Sequence, residues 1–140
     1  MSDVASFPYV AVKNPRGEIA LRPLLPITLT YGGATVETTG LPDTGADVNV
    51  LPCHLGITLG GNWETARTGL QLSGNLARYE ARGILVSCTV GQLPPVQLAF
   101  AWTQAENVPL LFGQVNFFAE FDVCFLRARN IVEVRPKSLP

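Results

Sequence analysis

The chain has 140 residues, of which 47% are hydrophobic and 15% are charged, and its formal net charge at pH 7 is −1. This length fits one domain, and the apolar fraction can fill a core and is too large for a disordered chain. Because the net charge is close to zero and the Lys and Arg residues are scattered, nucleic acid is not an expected partner.

Cysteine and histidine usage also excludes several kinds of site. Cys53, Cys88 and Cys124 are far apart, and His54 is the single histidine. No zinc-ligand spacing is present, so we expect reduced, half-buried core thiols and no metal or other cofactor. No apolar run approaches the about 20 residues of a membrane span, and the N-terminus does not resemble a signal peptide. We therefore expect a cytoplasmic protein without a membrane partner.

The first part of the chain predicts an arm followed by a hairpin. Residues 1–19 are interrupted by prolines and predict an N-terminal arm or edge strand; residues 20–136 form the predicted domain, and 137–140 a tail. Two apolar runs, Leu25–Tyr31 and Ala34–Thr38, flank a Gly-Gly pair, which favours a β-hairpin.

The remaining elements are short strands and one helix. Strand-like runs rich in β-branched or aromatic residues lie at 70–72, 79–90, 96–102, 123–126 and 131–134. Only Gln114–Phe121 has a helical spacing of its aromatic residues. Many short strands with a single short helix are typical of an all-β single domain, either a barrel or a sandwich.

The segment with the clearest chemical meaning follows the predicted hairpin. Its sequence is Leu-Pro-Asp-Thr-Gly-Ala-Asp at positions 41–47. Glycine allows a tight loop where a side chain would clash, the threonine hydroxyl can hold the loop, and Asp43 is then presented at its tip. A bare Asp-Thr-Gly is weak evidence, because all three are common turn residues.

Two sequence marks together resemble the retropepsins, the retroviral-type aspartic peptidases. The first is Arg22-Pro23-Leu24, a Gly-Gly hairpin and then Asp-Thr-Gly-Ala-Asp; the second is Leu111-Phe112-Gly113 just before the predicted helix. The marks occur in the order of that family and cover about residues 20–135. The aromatic ending, residues 117–125, is more similar to the cellular and bacterial-type branches. The resemblance implies a closed β-barrel with a short C-terminal helix and a β-hairpin flap.

The resemblance also implies roles for individual residues. Asp43 matches the catalytic aspartate, Thr44 the residue that grips its counterpart across a dimer axis, and Gly45 the glycine of the active-site loop. Ala46 and Asp47 match substrate-binding positions. The flap is expected within 69–79, with its substrate-binding tip at Ser73, Gly74 and Asn75.

Two departures from the family pattern concern the loop. Pro42 precedes the catalytic position, where it removes a backbone N–H from the strand. Gln114 stands where viral members have an arginine that supports an ion pair near Asp47.

Aspartic-peptidase chemistry needs two carboxylates that share a proton, and this chain holds one Asp-Thr-Gly. We therefore predict a homodimer in which each chain contributes Asp43, with a two-fold axis between the copies. The predicted interface residues are Arg22, Thr44, Ile131, Val132 and Val134, together with the N-terminal arm.

The predicted function is a homodimeric aspartic endopeptidase acting on a peptide or protein substrate bound as an extended strand. Apolar side chains at Leu51, Leu76, Ile84 and Val108 favour apolar residues beside the cut. Two alternatives remain open: a non-catalytic dimeric module that binds peptides, and a small β-barrel unrelated to peptidases. Cys53 and His54 could also form a dyad, although neighbouring side chains usually point apart.

Overall fold

The structure is a computed structural model that describes residues 3–70 and 80–137. The described strands are β1 (Ala5–Pro8), β2 (Val10–Lys13), β3 (Ile19–Arg22), β4 (Leu25–Tyr31), β5 (Ala34–Pro42), β6 (Asn49–Leu51), β7 (Arg67–Leu70), β8 (Ala81–Val90), β9 (Val96–Thr103), β10 (Leu111–Phe112), β11 (Phe121–Leu126) and β12 (Ile131–Pro136). The described helices are α1 (Cys53–Thr58) and α2 (Phe117–Glu120).

Six of these strands close into a barrel. The sheet order is β4-β5-β10-β6-β9-β8, and the last residues of β8 pair with β4 again, while β7 pairs with the first residues of β8. Closure leaves these six strands with neighbours on both sides, which removes the edges that an open sheet would expose. The prediction of an all-β single domain with a closed barrel is confirmed.

Sequence periodicity explains the first hairpin of the barrel. Along β4, Leu25, Ile27 and Leu29 are buried and alternate with more exposed residues, as expected for a strand with one face on the core. Gly32 adopts φ +61° in the turn to β5, a conformation that glycine accepts without strain. The predicted hairpin is therefore confirmed, with β5 extending to Pro42.

Aromatic side chains fill the core on the side where the barrel meets α2. Phe112 and Phe117 stack with ring centroids 4.1 Å apart, and Phe117 lies 4.8 Å from Phe121. All three side chains are buried. This cluster joins β10, α2 and β11 into one unit, because each element contributes one ring to it.

The two ends of the described chain meet in a three-stranded sheet with the order β1-β12-β11. β12 is central, and Val132 and Val134 are completely buried within this chain. Both side chains therefore pack inside this chain, and their assignment to a dimer interface stays a prediction. Ile131, at the start of β12, is half-buried.

Residues before β4 form more structure than the predicted arm. β2 and β3 pair only with each other, and the predicted domain boundary between residues 19 and 20 falls within β3. Ile19 is 69% exposed, and Val10, Val12 and Leu21 are also exposed. A two-stranded hairpin with apolar residues in solvent is marginally stable alone, so its attachment to β1 and β4 holds it in place.

Both helices differ from the sequence prediction. α1 was not expected, because its six residues are too few for a helical period to show. Its Gly56 packs against Trp102 so closely that a Cβ would lie 2.2 Å from the indole ring. α2 is shorter than the predicted 114–121, because the backbone at positions 114 and 115 bonds to the loop that contains Asp43.

Within residues 3–70 and 80–137, no helix is both long and apolar enough to cross a membrane.

Candidate active site

The Asp-Thr-Gly loop lies at the end of β5 and is held at both sides of its aspartate. The backbone N–H of Asp43 donates to the Phe112 carbonyl at 2.9 Å, and the Ala46 N–H donates to the Asp43 carbonyl at 3.0 Å. The Gly45 N–H donates to Asp43 Oδ1 at 3.0 Å. Asp43 is half-buried, whereas Thr44 and Gly45 are exposed. One carboxylate oxygen is thus fixed by the loop, and the side chain stays accessible from outside.

Three neighbouring strands of the barrel support this loop. β10 runs parallel to β5 and antiparallel to β6, so it lies between the strands that enter and leave the loop. Gly113 follows β10, and a Cβ there would lie 2.5 Å from the Val48 carbonyl oxygen and 2.7 Å from that of Ala46. Only glycine allows the backbone of β10 to approach the loop so closely, because both obstructing atoms belong to the main chain.

Pro42 does not weaken the strand. The Leu41 N–H donates to the Leu110 carbonyl and the Asp43 N–H to that of Phe112, both at 2.9 Å. Because successive backbone N–H groups point to opposite sides of a strand, the nitrogen of Pro42 faces away from β10, towards β4. β4 begins at Leu25, which is paired with Gly40, so the ladder on that side has already ended. The expected loss of a ladder bond therefore does not occur.

Gln114 supports the loop in a way that sequence reasoning missed. Its side-chain amide donates to the Thr44 carbonyl at 2.9 Å, and its backbone N–H donates to the Ala46 carbonyl at 2.9 Å. The Val115 N–H adds a bond to the Asp47 carbonyl at 2.8 Å. A neutral amide thus holds the backbone of the loop, with no ion pair to Asp47.

A buried amide network lies beneath the loop. Asn49 is fully buried; its Oδ1 accepts from the Gly113 N–H at 2.8 Å, and its Nδ2 donates to the Ala99 carbonyl at 2.9 Å. The Asn116 Oδ1 accepts from Asn49 Nδ2 at 3.3 Å and from the Ala99 N–H at 3.0 Å. A polar residue inside the apolar run 48–51 was the sequence signal for this site, since a buried amide must find partners.

Three solved structures have the same architecture. A retropepsin-like aspartic protease from Rickettsia conorii matches with a TM-score of 0.56 and 16% identity over 95% of this chain and 92% of that chain. The barrel and the order of its strands therefore belong to a known fold. The chain has the retropepsin-like fold.

Two further matches support this fold. EIAV protease, in complex with the inhibitor HBY-793, has a TM-score of 0.53 and 16% identity, with 74% of this chain and 88% of that chain covered. The retroviral protease-like domain of Ddi1 from Leishmania major has a TM-score of 0.57 and 13% identity, with coverages of 83% and 95%. Neither a protein-family model nor a curated protein sequence matches the chain.

On this retropepsin-like fold, five of the predicted site residues lie together on the loop, and the three predicted flap-tip residues fall outside the described part of the chain. Asp43, Thr44, Gly45, Ala46 and Asp47 lie together on the loop, and the side chains of Thr44 and Asp47 bond to no other described residue. The predicted flap tip, Ser73, Gly74 and Asn75, lies outside the described residues.

Arg22 lies on β3 and is not part of the loop. It lines a cavity of about 590 Å³ together with Val108 and His54, and it makes no ion pair within residues 3–70 and 80–137. The apolar residues that were predicted to line the substrate site also lie in different parts of the structure. Leu51 is fully buried in the core, and Ile84 lines a second cavity next to the loop. Leu76 lies outside the described residues.

The cysteines have three different environments. Cys88 is buried, and burial raises its pKa from 9.0 to about 12; Cys124 is exposed, contrary to the expected core position. Burial, with the neighbouring charge of Glu106, also raises the pKa of Cys53. His54 Nδ1 lies 3.3 Å from Glu106 Oε1. A raised thiol pKa opposes a reactive thiolate, so a Cys53–His54 dyad has no support.

Proposed function

We propose that this chain is one half of a homodimeric aspartic endopeptidase, with Asp43 as the catalytic residue of each half. The observation that carries this proposal is the half-buried Asp43 carboxylate, oriented by the Gly45 N–H at 3.0 Å on the loop of a retropepsin-like fold. The names of the three structural neighbours describe proteases or a protease-like domain.

The reaction follows from two such carboxylates facing each other. One, ionised, takes a proton from a water molecule as that water attacks the scissile carbonyl carbon, and the other, protonated, donates to the carbonyl oxygen. The first carboxyl then gives its proton to the nitrogen as the C–N bond of the gem-diol intermediate breaks, and the second takes a proton from a hydroxyl of the intermediate, which restores the pair. Because two close carboxylates share one proton, we expect activity at acidic pH and a decline as the second one ionises.

The second carboxylate has to come from another chain. None of the described carboxylates lies in hydrogen-bonding contact with Asp43. A two-fold axis beside the exposed Thr44 would bring two Asp43 residues together. We place the interface at Thr44, Arg22, Ile131 and the open edges of β1 and β11, which have no neighbour on their outer sides among the described strands.

The alternative function is a dimeric peptide-binding module without catalysis. Pro42 does not support this alternative, because it costs the strand no hydrogen bond and so does not disturb the loop. The same experiment separates the two functions, since both predict a dimer and only one predicts cleavage.

The test compares the native chain with Asp43→Asn in cleavage of a mixed peptide library at mildly acidic pH, with and without pepstatin. We expect the native dimer to cut, and Asp43→Asn to lose at least about 1,000-fold in rate, because an amide cannot act as the acid or base. Both proteins are sized in solution.

Glu37→Gln is the matched control, because it removes an exposed carboxylate on β5 that lies outside both the loop and the proposed interface. It should cut at the native rate. If the native chain and both variants are folded dimers and none cuts, the endopeptidase proposal is wrong and the binding module is the better explanation.

A further inference from the structure

A cavity of about 440 Å³ adjoins the candidate active site and has no role in the chemistry above. Its walls are mostly apolar and include Val48, Ile84, Leu85, Ala99 and Val115. Leu85 is 56% exposed and Val115 58%, so the cavity is open to solvent. Its volume falls within the range of about 300–1,000 Å³ that ligand pockets have.

The cavity begins next to the Asp43 loop, at Val48 and Val115. Val48 directly follows Asp47 and forms a bridge with Val115, whose N–H bonds to the Asp47 carbonyl at 2.8 Å. On the opposite side, Arg67 at the start of β7 is paired with Gly83 of β8. A peptide that passes Asp43 and continues beyond Asp47 would therefore reach this cavity.

Arg67 is the only charged residue among the described residues that line the cavity. It is exposed and makes no ion pair within the described ranges. Arg82 on β8 is different, because its guanidinium already lies 2.9 Å from a Glu80 carboxylate oxygen and bonds to the Trp63 carbonyl. Arg67 alone is thus free to form a paired hydrogen bond with an incoming carboxylate.

We propose that this cavity is an outer substrate subsite that takes a large apolar side chain, and that Arg67 selects an acidic residue two positions away in the same peptide. The spacing follows from an extended chain, in which alternate side chains point to the same face. The ligand class is therefore a peptide with the pattern apolar–any residue–acidic. This inference rests on the proposed function, since it assumes that the peptide lies along the loop.

The test measures binding, so that it does not depend on cleavage. Fluorescently labelled heptapeptides with Leu or Phe two positions from Glu, Gln or Lys are titrated into the full chain carrying Asp43→Asn, and anisotropy gives Kd. We expect the Glu peptides to bind about tenfold more tightly than the Lys peptides. Arg67→Glu should reverse this order, because the new carboxylate attracts lysine and repels glutamate.

Two further variants make the result specific. Arg129→Glu reverses an exposed charge outside the cavity and should leave the peptide order unchanged. Ala99→Phe introduces a large side chain at an exposed position of the wall and should weaken binding of the Leu and Phe peptides without altering the Glu-to-Lys order. Circular dichroism confirms that each variant is folded.

The outcomes distinguish this inference from the proposed function. If Arg67→Glu leaves the Glu-to-Lys order unchanged in a folded protein, the role of Arg67 is wrong even where the native chain cleaves peptides. If the order reverses and the native chain does not cleave, the subsite stands as a peptide-binding site and the endopeptidase proposal fails.

Discussion

The side chain of Asn49 shows how one buried polar residue can organise the active-site region. It joins the Gly113 N–H to the Ala99 carbonyl and contacts Asn116, and no described buried side-chain nitrogen or oxygen lacks a partner. Three separate segments, β6, β9 and the turn before α2, therefore meet at one amide. The cost of burying this amide is offset only because all of its strong partners are in place.

Replacing Asn49 by leucine keeps the volume and removes these bonds. We expect a loss of about 1–3 kcal/mol in the free energy of unfolding, because the buried Gly113 N–H is left without a partner and the Ala99 carbonyl loses its bond to Asn49. Urea unfolding of the native chain and of Asn49→Leu measures this difference in free energy. Asn107→Leu, at an exposed position, should change the same quantity by less than about 0.5 kcal/mol, and equal losses in both variants would contradict this role of Asn49.

Cys88 should make the stability depend on alkaline pH. Its pKa in the folded chain is about 12, above the 9.0 of the free thiol, so between these values the folded chain keeps a proton that the unfolded chain has lost. The stabilising contribution is complete below pH 9 and decreases as pH rises, by about 1.4 kcal/mol per pH unit.

The measurement is the free energy of unfolding from pH 8 to 11 for the native chain and for Cys88→Val. The difference between the two should grow with pH, because the variant has no thiol to ionise. Cys124→Ser should retain the native slope, since it leaves Cys88 in place. Parallel curves for the native chain and Cys88→Val would show that Cys88 is not the group that titrates.

At the scale of elements, the approach of β10 to the loop depends on the absence of a side chain at Gly113. Gly113→Ala would place a methyl group 2.5 Å from a backbone oxygen of Val48, and a backbone atom cannot move away as a flexible side chain can. We expect a loss of about 2–3 kcal/mol in unfolding free energy and at least tenfold in peptidase rate. Unfolding and cleavage are measured on the same samples.

Gly33→Ala is the matched substitution, because nothing lies within 4 Å of the position that its Cβ would take. It should change the unfolding free energy by less than about 0.5 kcal/mol. Comparable losses in the two variants would mean that close packing at Gly113 is not the reason for the lower unfolding free energy of Gly113→Ala.

The elements also show what local sequence can and cannot predict. β4 and the turn at Gly32 follow from alternation and glycine, which act between neighbouring residues. α2 was predicted too long and α1 was missed, because both depend on distant contacts: the loop bonds the backbone at Gln114, and Trp102 packs on Gly56. Arg67 gave no sequence signal, since its position beside the cavity results from the pairing of β7 with β8.

For the whole molecule, the loop around Asp43 could be predicted from the sequence, but the surroundings of the more distant site residues could not. Residues 43–47, which form the Asp-Thr-Gly loop, are contiguous in sequence, so these five residues stay together in the fold. The central position of β12 could not be predicted in this way, because the strand becomes central only once β1 and β11 pair with it. Burial of Val132 and Val134 is a property of the assembled sheet.

A dimeric active site predicts a particular result when native and variant chains are mixed. If each site needs an Asp43 from both of its chains, a mixed dimer of native chain and Asp43→Asn is inactive. Equal amounts, after exchange, should therefore lower the activity per native chain to about half, because random pairing puts half of the native chains in mixed dimers. Glu37→Gln added in place of Asp43→Asn supplies the control.

Dilution checks the same prediction independently. Activity per chain should fall once the concentration drops below the dissociation constant of the dimer. Activity that is unaffected by both the mixing and the dilution would show that one chain forms a complete site.

The pairing of β1 with β12 has a consequence for synthesis on the ribosome. Ala5 is paired with Val134, so one of the first described strands has its partner near the end of the described chain. β1 emerges early and stays without this partner until β12 has been translated, and contacts so distant in sequence form slowly. The three-stranded sheet is therefore complete only after translation has passed residue 136, whereas the last strand of the barrel, β10, already ends at Phe112.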